Sequence, residues 1–363
     1  MRIGSWAFPF TALVLTLSAA QALASVPYYV TDLGDLGGRN SEACDVNDSG
    51  QVVGRAECSG DYKHAFLWEQ GSGMTDLGDL GGIYSWAFGI NDIGQVVGRA
   101  QNVYEEERAF LWQQGGGMVS LGTLGGNWSE ARDINNSGRV VGRSGCSGPS
   151  YYYHAFLWEQ GNGMVDLGDL GGTNSEACDI NQSGLVVGWA ENADHESRVF
   201  LWQQGSGMSD LGAGDAFAIN DSGQVVGISS CHAFLWEPGT GMSDLGTLGG
   251  AWSWAYGISN NGQVVGEAQY SALPYTHAFL WQNGVMTDLN DLSFVDGANA
   301  GWVFGDAYAV NDRGQIVGCG GRDGYAHAFL LTPAPGLPAF VLVGAAPVVR
   351  RLVRTLRRRS GYR

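Results

Sequence analysis

Asp32-Leu33-Gly34-Asp35-Leu36-Gly37-Gly38, then Ala43-Cys44-Asp45-Val46-Asn47-Asp48-Ser49-Gly50-Gln51-Val52-Val53-Gly54, then His64-Ala65-Phe66-Leu67-Trp68, follow one another early in the chain. The same three runs recur in the same order to the end of the body. The leucine of Asp-Leu-Gly returns at Leu33, Leu77, Leu121, Leu167, Leu211, Leu245 and Leu289, in steps of 44, 44, 46, 44, 34 and 44. The turn glycine returns at Gly50, Gly94, Gly138, Gly184, Gly223, Gly262 and Gly314, and the Phe-Leu-Trp run ends at Trp68, Trp112, Trp158, Trp202, Trp236 and Trp281, with Leu331 in the seventh place. Three markers in fixed order make this a seven-fold repeat.

Each unit holds four short runs of strand character. In the first they are 28–33, 43–47, 51–56 and 64–68, separated by Asn-Asp-Ser-Gly and Glu-Gln-Gly-Ser-Gly turns. Four strands in about 44 residues is the size of a propeller blade, so the expected fold is all-β, a seven-bladed β-propeller over 25–332. A β-solenoid is the rival, disfavoured because its coils are usually shorter. The chain enters on Tyr28-Tyr29-Val30-Thr31-Asp32 and leaves on Ala328-Phe329-Leu330-Leu331, so the entering strand should complete blade seven as its outer strand and remove a free edge. The fifth unit strains this phase: only Ala213-Gly214-Asp215 separates its outer and inner strands.

Working outward, 58 glycines in 363 residues and only 15% charged residues exclude a coiled coil, a helical bundle and a disordered polyampholyte. The net charge is −17, yet Arg2 and seven arginines of the last fourteen positions are remote from the body, leaving 11 basic residues against all 36 acidic ones. So acidic a body argues against nucleic-acid binding and against attraction to anionic lipid. At the front, 1–24 reads as a secretory signal peptide, an apolar run followed by Ala22-Leu23-Ala24 with cleavage expected after Ala24. At the back, 333–363 reads as a sorting or anchor segment: Pro333-Ala334-Pro335, a short apolar run from Leu337 to Val349, then the arginines. The body is therefore expected to be exported, to the cell surface or beyond.

D-L-G-x-L-G-G, x-I-N-x-x-G-x-V-V-G and H-A-F-L-W resemble the HAF family of probable extracellular repeat proteins over 28–331. The tail resembles the PEP-CTERM sorting signals of exosortase substrates, with Pro333 and Pro335 in the motif and Ala334 where that family has glutamate. The resemblance implies a bacterial exported protein and supplies no catalytic residue.

The histidines at 64, 154, 232, 277 and 327 occupy one repeat position, with Arg108 and Arg198 in the other two units, so a strand-entry role bonded to a backbone group is expected and no metal ligand is assigned. Asp45 to Gly50, Asp133 to Gly138 and Asp179 to Gly184 copy half a calcium loop, but the twelfth positions are Ala56, Ser144 and Ala190; a tight turn explains them. No cofactor is expected, and calcium bridging acidic loops to an anionic glycan is the one ion the reading allows. Six cysteines in an exported chain suggest disulfides without choosing a pairing. The pairs Asp32/Asp35, Asp76/Asp79 and Asp166/Asp169 recur in register and read as scaffolding.

Alternate connections of a four-stranded meander emerge on one side. The Asn-x-x-Gly turns therefore share a short, uniform face, and the L-G-G segments share a variable one with the loops that follow Val-Val-Gly. That variable face carries acidic loops (Glu57 and Asp61; 105–107; Glu191, Asp194 and Glu196) and the aromatics Tyr84, Trp86, Trp128, Trp252, Trp254 and Trp302. Aromatic platforms suit sugar rings or protein partners. The expectation is a non-catalytic binding scaffold for extracellular polysaccharide or a surface protein. The alternative is a propeller glycoside hydrolase or lyase, which would need unique acids near the axis; none is evident in the sequence.

Overall fold

The computed structural model of the chain describes residues 27–60, 62–148, 152–271, 275–292 and 299–335. The signal segment with Ala24 and the chain beyond Pro335 lie outside them. Seven antiparallel four-stranded sheets account for almost all described residues, and one 3-10 turn, Leu289–Asp291, is the only helical element among them. The fold is the expected seven-bladed β-propeller. Blades one to six span 37–76, 81–120, 125–166, 171–213, 215–244 and 249–288; blade seven combines 303–333 with Tyr28–Asp32. The entering strand pairs antiparallel with the last, Tyr28 opposite Pro333 and Asp32 opposite Phe329, so the ring closes in the expected phase. The short crossing at the fifth unit is solved locally. The outer strand of blade four runs on to Ala213, and the inner strand of blade five, Asp215–Ile219, has five residues where the first four blades have ten.

The core lies between blades. Phe66, Phe110, Phe156, Phe200 and Phe279, each from a Phe-Leu-Trp run, are fully buried beside the paired valines of the Val-Val-Gly strands. One cluster joins Val53, Ala65 and Leu67 of blade one to Ala87, Ile90 and Phe110 of blade two, and the other blade junctions repeat it. The serine of L-G-G-x-x-S stitches five of the seven junctions. Ser85 Oγ accepts from Ala65 N at 2.9 Å and donates to Gly78 O, and Ser41, Ser129, Ser175 and Ser253 do the same.

Two hydrogen-bonded rings lock the Asn-x-x-Gly face. Asn47 Oδ1 caps its own turn by accepting from Ser49 N and Gln51 N, and Asn47 Nδ2 reaches the carbonyl of Asn91 in the next blade. The following residues form the second ring: Asp48 N donates to Asp92 Oδ1, Asp92 N to Asn136 Oδ1, and so on through Gln182, Asp221, Asn260 and Asp312 back to Asp48, at 2.7–3.0 Å. The calcium-like spelling of these turns is thus turn-capping and ring-closing chemistry. The turn asparagines 47, 135, 181 and 220 are buried in it.

Candidate functional site

Every inner strand carries a β-bulge at the same place. In blade one Ala43 pairs with Gly54 and Asp45 with Val53, leaving Cys44 unpaired. The equivalent extra residues are Phe88, Arg132, Cys178, Phe217, Tyr256 and Tyr308. A bulge breaks strict alternation and re-aims a side chain. Here it turns seven different side chains toward the axis, where all seven line a channel.

The mouth of this channel on the variable face is a cavity of about 410 Å³. Its wall mixes rings with charge: Trp86, Phe88, Phe217 and Tyr256 beside Glu42, Arg132 and Glu176. Tyr256 packs against Phe217 at 5.6 Å and Tyr308 at 5.5 Å, and Trp254 links it to Trp252. The charged half is a network across blades two, three and four. Arg132 bonds Glu176 at 2.6 Å and Glu130 at 3.0 Å, Arg143 bonds Glu176 at 2.9 Å, and Arg99 bonds Glu130 at 3.0 Å. Glu130 and Glu176 are buried, so these charge-assisted bonds offset their desolvation. Arg55 is held by Glu42 at 2.6 Å with its guanidinium 3.3 Å from the Trp86 ring centroid.

Deeper in the channel, Asp45, Asp133 and Asp179 line one cavity. Burial and the Asp133 charge push the Asp45 carboxyl up to about 7; the same causes, with a hydrogen bond to Asp133, hold Asp179 well above the ordinary carboxylate range. Behind the lining tyrosine Tyr256, Asp306 is likewise pushed up to about 7, by burial and by a hydrogen bond to Glu267, which also accepts from Tyr256 Oη at 2.6 Å. Acids therefore do stand at the axis, although Asp45, Asp133 and Asp179 share one repeat position and are not unique to a single blade. They escaped notice because Asp45, Asp133 and Asp179 spell the start of a turn motif, whereas the bulge gives their position to the channel.

The predicted platform residues divide. Trp86, Trp252 and Trp254 gather around the axial mouth, Trp86 in its wall and the other two in the ring stack leading to it. Tyr84 is half-buried with its hydroxyl on Glu107 at 2.7 Å, and Trp128 packs on Tyr153 at 5.7 Å under Arg143. Trp302 is no platform at all: it is 8% exposed, stacked on Phe304 and set against Phe329 and His327 in the core of blade seven. Pro333 ends the last strand, and Ala334 N bonds Pro27 O at 2.7 Å, which places the Pro-Ala-Pro run at the closing seam. Acidic loop residues are also partly internal. Glu57 braces Asn40, and Glu191 braces Thr173 and Asn174, bonds that hold the Glu191 carboxyl at about 2.

The repeated histidines bind carboxylates, in place of the backbone group expected of them. His64 Nδ1 lies 2.9 Å from Asp76, His154 2.8 Å from Asp166 and His232 2.8 Å from Asp244, with Arg198 on Asp210 in the same role. Asp76 and Asp79 also accept from Gly78 N and Gly81 N, the scaffolding their recurrence indicates. All six cysteines are free thiols.

No family model matches the chain, and no curated protein matches it in sequence. Solved propellers resemble it in shape. A gluconolactonase from Xanthomonas campestris shares 9% identity at a TM-score of 0.45, over 86% of this chain and 92% of the other. TolB from Acinetobacter baumannii shares 11% at 0.39, over 85% and 81%, and a lectin in complex with α-methyl fucoside shares 12% at 0.35, over 83% and 98%.

Proposed function

We propose that the chain is an exported propeller that binds a carbohydrate at its axial mouth without transforming it. The observation that carries this reading is the cavity of about 410 Å³, in which ring faces stand beside fixed carboxylates and a guanidinium. Ring faces take the apolar face of a sugar, and fixed charged groups accept from and donate to its hydroxyls. Export and surface retention belong to the same proposal and rest on the two end segments. The loop aromatics contribute through Trp252 and Trp254, which extend the mouth's stack outward.

The test is affinity electrophoresis through gels containing the source organism's own exopolysaccharide, with and without EDTA, and with the polymer assayed for new reducing ends. Retardation is expected, and Trp86→Ala should weaken it at least about tenfold, the loss of one stacked ring. Unchanged retardation in Trp86→Ala moves binding away from the axis, and no retardation turns the proposal toward a protein partner. Glycan cleavage is a second reading, favoured by the Asp306 and Glu267 pair, in which a carboxyl poised near neutrality sits beside a second carboxylate. New reducing ends that vanish in Asp306→Asn would establish it.

A further inference from the structure

We propose that blades one and three each hold a zinc-type divalent cation, on Cys58, His64 and Asp76 and on Cys146, His154 and Asp166. In each blade the thiol sulfur, an imidazole nitrogen and a carboxylate oxygen all lie within 4.8 Å of one another. The three side chains come from three strands whose pairing fixes their places. Cys58 ends the second strand, His64 is the second residue of the third, opposite Ala56, and Asp76 ends the outer strand opposite Phe66. Blade three repeats this with His154 opposite Ser144 and Asp166 opposite Phe156.

The support of the histidine fits a metal ligand. His64 Nδ1 faces Asp76, and Nε2 lies 3.7 Å from Asp79 Oδ2, longer than a hydrogen bond but within ion-pair reach; in blade three the matching Asp169 distance is 3.6 Å. A ligating histidine usually gives its other N–H to a carboxylate, which fixes the ring and its tautomer. One sulfur, one nitrogen and one oxygen suit zinc and its borderline neighbours, whereas calcium takes six to eight oxygens. Three protein donors leave a fourth position for water or a group on a ligand.

The chain supplies its own control. The histidine–aspartate pair stands without a cysteine in blade six, where Tyr270 takes the place of Cys58 and stacks on His277 at 4.7 Å; in blade five, whose second strand already ends at Ser229, Cys231 sits in the turn beside His232 and forms no such group with the His232–Asp244 pair. In blades two and four, Asn102 and Asn192 stand where the cysteine is, and Arg108 and Arg198 where the histidine is. The thiol is therefore not needed for the pair or for the blade. Where it ends a full-length second strand, in blades one and three, imidazole and carboxylate complete a ligand set with it.

The experiment is Co²⁺ titration of the full chain under reducing conditions, reading the thiolate-to-cobalt charge-transfer band, followed by displacement with Zn²⁺. Two thiolate-bound ions per chain are expected. Cys58→Asn with His64→Arg gives blade one the residues that blades two and four already fold with, and should leave one ion. Adding Cys146→Asn with His154→Arg should leave none, with the melting temperature little changed. Should the arginine variants fail to fold, Cys58→Ser with Cys146→Ser must abolish the band alone. No band in the unaltered chain, or an undiminished band when both blades are altered, would overturn the proposal, the latter assigning the metal to the other cysteines.

Discussion

Asp133 lines the channel with two other axial carboxylates, Asp45 and Asp179, and its charge helps to raise both of them. The folded chain keeps a proton on Asp45 up to about pH 7, while an unfolded aspartate releases it near 4. Between those values the folded state binds more protons than the unfolded one, so this site subtracts stability as pH rises from about 4 to about 7, and no more above that. Asp133→Asn removes the neighbouring charge, and its amide oxygen can still accept from Ile180 N, which Asp133 Oδ2 does at 3.1 Å. The variant should be about 1–2 kcal/mol more stable than the parent at pH 8, the worth of roughly one restored pKa unit, and equal to it below pH 4. Chemical denaturation at the two pH values checks this. A variant that gains nothing at pH 8 would remove the axial carboxylates as a source of strain.

At the scale of the element, the inner strand is defined by its bulge, and the bulge depends on the glycine that faces it. A Cβ on Gly54 would lie 1.9 Å from the Glu42 carbonyl oxygen, and Gly98, Gly188 and Gly266 meet the equivalent oxygen at the same distance. Gly54→Ala should therefore cost about 2–3 kcal/mol, as overpacking of a rigid contact does, and should reduce cavity-mouth ligand binding through displaced Glu42 and Cys44. Denaturant midpoints of Gly54→Ala against Gly71→Ala separate the clash from backbone strain, since Gly54 has no positive φ, whereas Gly71 has φ +94 and open space around it. The invariant third position of Val-Val-Gly was visible in the sequence, as were the blade count, the phase and the strand that closes the ring, because each is written seven times. The channel was not visible. Its lining, Cys44, Phe88, Arg132, Cys178, Phe217, Tyr256 and Tyr308, falls among the inner-strand positions where the repeats disagree, and a bulge cannot be read from alternation alone. The available signal was the two variable residues, one more than strict alternation allows, between a constant alanine and an isoleucine or valine. Trp302 misled for the opposite reason: it sits in the long loop of the last unit by spelling, while stacking on Phe304 takes it into the core.

For the whole molecule, closure has two parts of different completeness. The backbone ring from Asp48 through Asp312 has all seven links, one per blade junction. The asparagine ring has six: the Nδ2 groups of 47, 91, 135, 181, 220 and 311 each reach the next blade's carbonyl, at 2.9–3.2 Å, and blade six has Ser259. Its turn is otherwise the same. Ser259 N bonds Gln263 O and Gly262 N bonds Ser259 O, as Asn47 bonds Gln51 and Gly50, and Ser259 Oγ accepts from Gln263 N in the role of the asparagine oxygen. Serine is one atom group too short to donate onward to Asn311, so the junction between blades six and seven lacks the bond that every other junction has. That junction borders blade seven, whose outer strand comes from the far end of the chain. Ser259→Asn should supply the seventh link and stabilise the ring by about 0.5–1.5 kcal/mol, the net worth of one buried hydrogen bond, or about 1–3 °C in Tm. Native-state hydrogen exchange should show the gain concentrated in 303–333, because the added bond holds blade seven to blade six. An unchanged Tm with unchanged exchange in blade seven would mean that the backbone ring alone closes the propeller.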